Sequence, residues 1–309
     1  MAPGIKGGYR QINKALNVCV FEDYLESQHL NLPKLLDVEQ ISPRVLRVLG
    51  QNPGKFTLQG TNTYIVGTGR ERLIIDTGQG AKEWADLIAS TLADQGFKLS
   101  HVLITHFHND HCRGVPDLLR LYPELSTSIY KNTPDRTQQP IRDGQVFEVE
   151  GATVRAVHAP GHSHDHMCFI LEEEQAMFTG DNVLGHGTAA VEHLGTWMQS
   201  LRTMKSHGCT VGYPAHGVVV PNLSQKIDQE LACKVRRERQ VLQALRGAGQ
   251  GGRITVEELV TKVYGENLDE GIRGQALEPF MDEVLRKLAE DGRVGFQVRG
   301  GLKKWFSVE

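Results

Sequence analysis

Residues 105–111 read Thr-His-Phe-His-Asn-Asp-His and follow an apolar, strand-like run at residues 101–105. Four side chains of this stretch bind metals in proteins: His106, His108, Asp110 and His111. A strand that ends here would place all four at one edge of a sheet, where imidazoles and a carboxylate can converge. Neutral imidazole nitrogen and carboxylate oxygen suit Zn²⁺ and similar divalent ions. The order H-x-H-x-D-H therefore predicts a metal site rather than a histidine-rich surface loop.

Three later segments repeat the same local arrangement, a strand-like run followed by a turn that carries a metal-binding side chain. His162 follows the run 153–157, Asp181 ends the segment Ala-Met-Phe-Thr-Gly-Asp, and His216 lies in Tyr-Pro-Ala-His-Gly. We expect these three side chains to complete a site that holds two metals.

The ordered set of H-x-H-x-D-H, His, Asp and His resembles the signature of the metallo-β-lactamase superfamily. The resemblance assigns His106, His108 and His162 to one metal and Asp110, His111 and His216 to the second. Asp181 would bridge the two metals. Such a pair can hold and deprotonate one shared water and polarise the group under attack. Zn²⁺ is the expected ion, and a His/Asp site also accepts Mn²⁺ or Fe²⁺.

Other candidate ligands have weaker patterns. His164 and His166 are expected to orient neighbouring residues rather than bind metal, and Cys112 is not expected to be a ligand. The remaining histidines show no ligand spacing: His101, His158, His186, His193 and His207. A carboxylate at Asp181, where some antibiotic-cleaving members have Cys, resembles the glyoxalase II, thioesterase and nuclease branches.

Composition is that of a water-soluble globular protein. The chain has 309 residues, 39% hydrophobic content and a net charge of −3. This charge argues weakly against a general nucleic-acid binder, and no apolar run reaches the ~20 residues that cross a membrane. The first ten residues lack the apolar core of a signal peptide, so we expect a cytoplasmic protein. The odd number of cysteines, 5, does not predict a disulfide framework.

Alternating strand and helix patterns predict an α/β fold, a four-layer αββα sandwich with two sheets face to face and helices outside. We predict an N-terminal extension at 1–40, a catalytic domain at 41–221 and a C-terminal region at 222–309. The C-terminal region would contain a linker helix and a small helix–helix–hairpin module that resembles a winged helix. Within it, Thr255 and Glu258 form the sequence pattern of a helix capping box.

Segments outside the metal loops narrow the resemblance. Residues 57–64 and 180–188 and the C-terminal module resemble the β-lactamase-like-protein-2 branch. Within that branch, residues 4–13 and Ala215 resemble the fungal atrochrysone carboxyl ACP thioesterases. The implied reaction is hydrolysis of the thioester between a polyketide acid and acyl carrier protein. It would release the product of a non-reducing polyketide synthase in anthraquinone- or xanthone-type secondary metabolism, with Asp110 orienting the nucleophilic water and moving its proton.

Alternative functions stay open at this point. Related enzymes with a similar C-terminal module are endoribonucleases, although the segment 182–215 is too short to hold an inserted nuclease domain. A glyoxalase II-like hydrolase of small thioesters is another possibility, and a non-enzymatic binding module is a third. The expected partner is the acyl carrier protein domain of a polyketide synthase, with no membrane and with nucleic acid disfavoured.

Overall fold

The computed structural model describes residues 32–135, 137–247, 252–266 and 270–308. The motif at 4–13, Cys19 and most of the predicted N-terminal extension lie outside these ranges. The first strand of a sheet, Val38–Ser42, runs across the predicted boundary between residues 40 and 41.

The first sheet has seven strands in the same order as in the chain. They are β1 Val38–Ser42, β2 Val45–Leu49, β3 Asn62–Val66, β4 Glu71–Ile75, β5 Lys98–Leu103, β6 Ile129–Lys131 and β7 Gln139–Pro140. β1 to β4 pair antiparallel, whereas β4 to β7 pair parallel. The parallel half matters for the site, because the carboxyl ends of β4 and β5 meet at one edge.

The second sheet has five strands in the order β12-β11-β10-β9-β8. They are β8 Val146–Val149, β9 Ala152–His158, β10 Met167–Leu171, β11 Ala176–Gly180 and β12 Val211–Pro214. β11 and β12 pair parallel, and the other neighbours pair antiparallel. The carboxyl ends of β11 and β12 therefore also share an edge.

An apolar core fills the space between the two sheets. Residues of β2 to β5 pack there against residues of β8 to β12. Tyr64 of the first sheet contacts Phe178 and Tyr213 of the second, with ring centroids 5.1 and 5.9 Å away. Because both inner faces are buried, strand register is fixed on both sides of the core.

The helices within the described ranges are α1 Lys82–Gln95, α2 Asn109–Cys112, α3 Val115–Leu121, α4 Leu194–Ser206, α5 Leu223–Arg246, α6 Val256–Tyr264, α7 Glu270–Ile272 and α8 Glu278–Glu290.

Helices α1 and α3 cover the outer face of the first sheet. Trp84, Ile88 and Leu92 lie four residues apart on α1 and are buried against this sheet. The indole of Trp84 also donates a hydrogen bond of 3.0 Å to the hydroxyl of Thr63.

The chain divides into two compact units. Of the described residues, one unit holds 32–189 and 199–227, and the other holds 190–198 and 228–308. In the second unit, Thr255 and Glu258 form the predicted capping box at the start of α6. α8 buries Met281, Val284, Leu285 and Leu288, and Val294–Arg299 (β13) pairs with Leu302–Ser307 (β14). The winged-helix interpretation and the boundaries at 40/41 and 221/222 stay predictions.

The described part of the chain can be compared with the expectations about membrane spans and disulfides. No helix there is both long and apolar enough to cross a membrane. Cys112, Cys168, Cys209 and Cys233 are free thiols.

Candidate metal centre

The side chains predicted to bind metal all lie just beyond the ends of strands. His106 follows β5, and His108 is the residue before the first turn of α2, which contains Asp110 and His111. His162 follows β9, Asp181 follows β11, and His216 follows β12. Because β11 and β12 are parallel, Asp181 and His216 leave their sheet at the same edge.

Three imidazoles form the first cluster. Nδ1 of His108 lies 2.8 Å from Nε2 of His106 and 2.9 Å from Nε2 of His162. The two Nε2 atoms are 3.2 Å apart. Oδ2 of Asp181 lies 3.5 Å from Nε2 of His162. Three ring nitrogens and one carboxylate oxygen thus face a common point.

Two imidazoles and two carboxylates form the second cluster. Nε2 of His111 lies 3.3 Å from Oδ2 of Asp110 and 3.5 Å from Oδ1 of Asp181. Nε2 of His216 lies 3.2 and 3.3 Å from the same two oxygens. Asp181 contributes Oδ2 to the first cluster and Oδ1 to the second, as expected of a bridging carboxylate.

The donor spacing of the second cluster fits a tetrahedral divalent ion. Ligand atoms bound about 2.1 Å from a tetrahedral Zn²⁺ lie about 3.4 Å from one another. The donor atoms of the second cluster are 3.2 to 3.5 Å apart. Among the described residues, Nε2 of His111 and Oδ1 of Asp181 are buried and find no hydrogen-bond partner of normal geometry. Buried polar atoms without partners are costly, and a bound cation would satisfy both. The His/Asp cluster is therefore compatible with a dinuclear metal site.

The electrostatics of the two clusters differ. Burial lowers the pKa of His106 well below its usual value and that of His108 to about 3, with neighbouring imidazoles adding to the effect. These rings are neutral, which is the form that binds metal.

In the second cluster, burial lowers the pKa of His111 and His216, but the carboxylates of Asp110 and Asp181 raise it more. The pKa of His216 rises to about 9, and that of His111 rises well above its usual value. Burial raises the pKa of both carboxylates, yet the facing imidazoles hold it below the ordinary range. Two protonated imidazoles thus balance the two carboxylates here, and a divalent ion would take over that positive charge as the imidazole protons leave.

Asp76 orients the His111 ring of the second cluster through a hydrogen bond. Its Oδ2 accepts a hydrogen bond of 2.8 Å from Nδ1 of His111. Its Oδ1 accepts another from the backbone N–H of Thr105, and the Thr105 hydroxyl lies 3.0 Å from Nδ1 of His106. Asp76 itself has a φ of 60°, an uncommon value for a residue with a side chain. We did not predict a role for Asp76 from the sequence. The available signal was an Asp-Thr-Gly turn directly after the strand that pairs with β5.

His166 lies next to Asp181, the residue that the two clusters share. Its Nε2 accepts a hydrogen bond of 3.0 Å from the backbone N–H of Asp181, and its Nδ1 lies 3.1 Å from the amide nitrogen of Asn182. This contact agrees with the prediction that His166 orients a neighbour instead of binding metal. His164, in contrast, is exposed at the protein surface.

The loop that carries His216 is held by residues of β3. The amide of Asn62 donates to the carbonyls of Pro214 and Gly217 at 2.9 Å each, and the hydroxyl of Tyr64 donates to Pro214 at 2.7 Å. Thr61 links this loop to the first motif, because its hydroxyl donates to the carbonyl of Asp110. These contacts explain why Thr61, Asn62 and Tyr64 belong to the site although none of them was predicted as a ligand.

The structure brings all of the predicted ligands together within the two clusters of His106, His108, His162 and Asp181, and of Asp110, His111, Asp181 and His216. Their function as metal ligands stays a prediction. Cys112 lies outside both clusters, and its thiol donates to the carbonyl of Phe107. The histidines predicted to have ordinary roles also lie outside them.

Comparison with known proteins defines the class. The family model of the metallo-beta-lactamase superfamily matches residues 56–126 and 124–216, which together span every predicted ligand. The chain therefore belongs to the metallo-β-lactamase superfamily, as its motifs predicted.

The chain is similar over its whole length to two fungal proteins named atrochrysone carboxyl ACP thioesterase. The one from Cryptosporiopsis sp. is 70% identical, over 100% of this chain and 98% of the relative. The one from Aspergillus novofumigatus is 72% identical, over 98% of this chain and 96% of the relative.

A solved structure supports the fold. A beta-lactamase domain protein from Burkholderia ambifaria superposes with a TM-score of 0.71 at 17% identity, over 90% of this chain and 95% of the other. This confirms the predicted metallo-β-lactamase fold of the α/β class.

Proposed function

We propose that the protein hydrolyses the thioester that joins an aromatic polyketide acid to acyl carrier protein. The observation that carries the proposal is the pair of donor clusters that share Asp181. The identity of 70% or more with proteins named for this reaction supplies the substrate class.

Water adds to the thioester carbonyl carbon, the C–S bond breaks, and the sulfur leaves as the pantetheine thiolate, which is then protonated. The other product is the free polyketide acid. Two bound divalent ions would supply an activated water and a Lewis acid for this reaction. The residues that would hold them are those of the two clusters, with Asp181 shared.

Asp110 has the position of a proton acceptor. Its side chain is 20% exposed, whereas those of His111 and His216 are 0 and 2% exposed. The carboxylate therefore reaches the accessible side of the cluster, where it can orient the attacking water and take its proton. The hydrogen bond from Thr61 to the Asp110 carbonyl holds the backbone there.

The donor set favours Zn²⁺, because imidazole and carboxylate are its usual ligands and the separations in the second cluster match a tetrahedral ion. Mn²⁺ and Fe²⁺ bind the same donor types. The identity of the native metal as Zn²⁺ is therefore part of this proposal. The carrier protein domain of a polyketide synthase as partner and a cytoplasmic location are proposals of the same kind.

The test compares two reactions of the purified, metal-loaded protein. We expect release of thiol from an acyl-pantetheine thioester, loss of that activity on chelation, and no cleavage of labelled single-stranded RNA. Asp110→Asn serves as the control for contaminating esterases. RNA cleavage without thiol release would overturn the proposal in favour of an endoribonuclease. Faster hydrolysis of a glutathione thioester than of a pantetheine thioester would favour a glyoxalase II-like enzyme.

A further inference from the structure

An exposed aromatic side chain lies within the first metal motif. Phe107 is 37% exposed, although its neighbours His106 and His108 are 0 and 7% exposed. Its ring centroid lies 4.5 Å from that of His108. An apolar ring that faces solvent between two buried metal-binding groups has no part in the core.

A second exposed ring meets it from another loop. His164 lies two residues after the buried His162, and its ring is 5.4 Å from that of Phe107 with an interplanar angle of 35°. The loop under His164 is fixed, because Ser163 and Asp165 are 0% exposed and joined by a hydrogen bond of 2.8 Å. The two rings therefore form one surface beside the first cluster, here termed the aryl platform (Phe107 and His164).

We propose that the aryl platform binds the fused aromatic rings of the acyl group and so selects aromatic over aliphatic thioesters. This inference rests on the proposed thioesterase function and names the residues that determine its acyl specificity. Planar polyketide rings and exposed aromatic side chains attract each other through offset stacking in addition to burial of apolar area.

The position of the platform fits the geometry of the substrate. In an acyl group whose ring carries the thioester carbonyl directly, the ring must lie within a few ångströms of the reacting carbon. Phe107 and His164 are attached to the same two loops as His106, His108 and His162. A carbonyl placed at the metal centre would therefore bring the adjoining ring to these side chains, whereas the pantetheine arm must leave in another direction.

The test uses N-acetylcysteamine thioesters of 2-naphthoic acid and of hexanoic acid with the metal-loaded protein. Phe107→Leu keeps apolar bulk and removes the π face. We expect the ratio of kcat/KM for naphthoyl over hexanoyl substrate to fall about 3- to 10-fold, mainly through KM. His164→Leu should lower the ratio in the same direction, and Phe107→Tyr should retain the wild-type ratio. Val146→Ala, which alters an exposed apolar residue (47%) outside the platform, is the matched control.

A second measurement does not depend on turnover. Calorimetric titration with anthraquinone-2-carboxylate should give a Kd that is about 3- to 10-fold higher in Phe107→Leu and in His164→Leu than in wild type at equal metal content. An unchanged selectivity ratio in both variants, or an unchanged Kd, would overturn the inference. If the wild type hydrolyses neither thioester, the proposed function fails, and the calorimetric result still decides whether the platform binds aromatic acids.

Discussion

Nδ1 of His111 donates a hydrogen bond of 2.8 Å to Oδ2 of Asp76, and neither side chain is more than 2% exposed. This bond holds a proton on Nδ1 of His111, so Nε2 is the nitrogen that faces Asp110 and Asp181 and that would bind a metal once its own proton leaves. A carboxylate behind a ligating histidine both fixes the ring and increases its basicity. Asp76 thus orients the ring of His111 for the second cluster, although Asp76 is not itself a member of that cluster.

We predict that Asp76→Asn weakens binding of the second metal about 10- to 100-fold. Asn tolerates the left-handed backbone at this position, so the substitution changes the hydrogen bond more than the fold. Metal competition with a chelator of known affinity measures the effect. Wild-type affinity for both metals in a folded Asp76→Asn protein would remove Asp76 from the account.

The shared carboxylate predicts a pattern of metal loss. Elemental analysis should find two metals per chain in wild type and about one in His162→Ala and in His216→Ala. Asp181→Asn should weaken both sites, because Asp181 belongs to both clusters. Loss of one metal only in Asp181→Asn would show that this carboxylate does not bridge.

Asp110 is predicted to serve the reaction more than substrate binding. Asp110→Asn should lower kcat by about 10²- to 10⁴-fold with a much smaller change in KM. Steady-state kinetics on a small acyl-thioester measures both constants, and metal analysis of the same sample controls for lost ions. A near-normal kcat with two metals bound would exclude Asp110 from proton transfer.

Gly180 permits the close contact between β11 and His166. It has a φ of 51°, and a Cβ there would lie 2.4 Å from Nε2 of His166. Gly180→Ala should therefore lower the free energy of unfolding by about 1 to 2 kcal/mol from the backbone and by a further ~1 to 3 kcal/mol from the clash.

Gly208→Ala is the control for Gly180→Ala. Gly208 has a φ of 74° and nothing within 4 Å of an added Cβ, so it reports the backbone cost alone. Denaturant unfolding of both variants compares them. Equal destabilisation would mean that the contact with His166 is easily relaxed.

The residues that the sequence singled out as candidate ligands lie together in the structure, because each belongs to a local feature. A strand-like run followed by His or Asp is visible within about ten residues, and the parallel pairs β4–β5 and β11–β12 then bring such ends together. The strand-like run predicted at residues 153–157 was confirmed as part of β9 for the same reason, since apolar runs are a local signal.

The supporting residues could not be predicted because they act across long sequence separations. Asp76 and His111 are 35 residues apart, and Asn62 and Pro214 are 152 apart. Such pairs depend on how the two sheets pack. In the C-terminal region, residues 273–277 form a π-helical segment directly before α8, which hydrophobic periodicity does not reveal.

Carrier protein recognition gives a further prediction. The densest basic run, residues 234–239, lies on α5, where Arg236 is exposed and Arg237 is half-buried. Carrier proteins are usually acidic, so reversing the charge of both arginines to Glu should raise KM for acyl carrier protein and reduce its salt dependence. Hydrolysis of a small acyl-thioester should be unaffected. The double reversal of Arg202 and Lys205, both exposed on α4, is the matched control. Equal effects of the two double variants would dismiss this surface.

Intact mass analysis of an acyl carrier protein charged with an aromatic polyketide acyl group tests the central claim most directly. With the metal-loaded protein, we predict that the carrier loses the acyl mass, regains its free pantetheine thiol and releases the free acid, and that chelation or Asp110→Asn prevents this. A carrier that stays fully charged in the presence of protein containing two metals per chain would contradict the account.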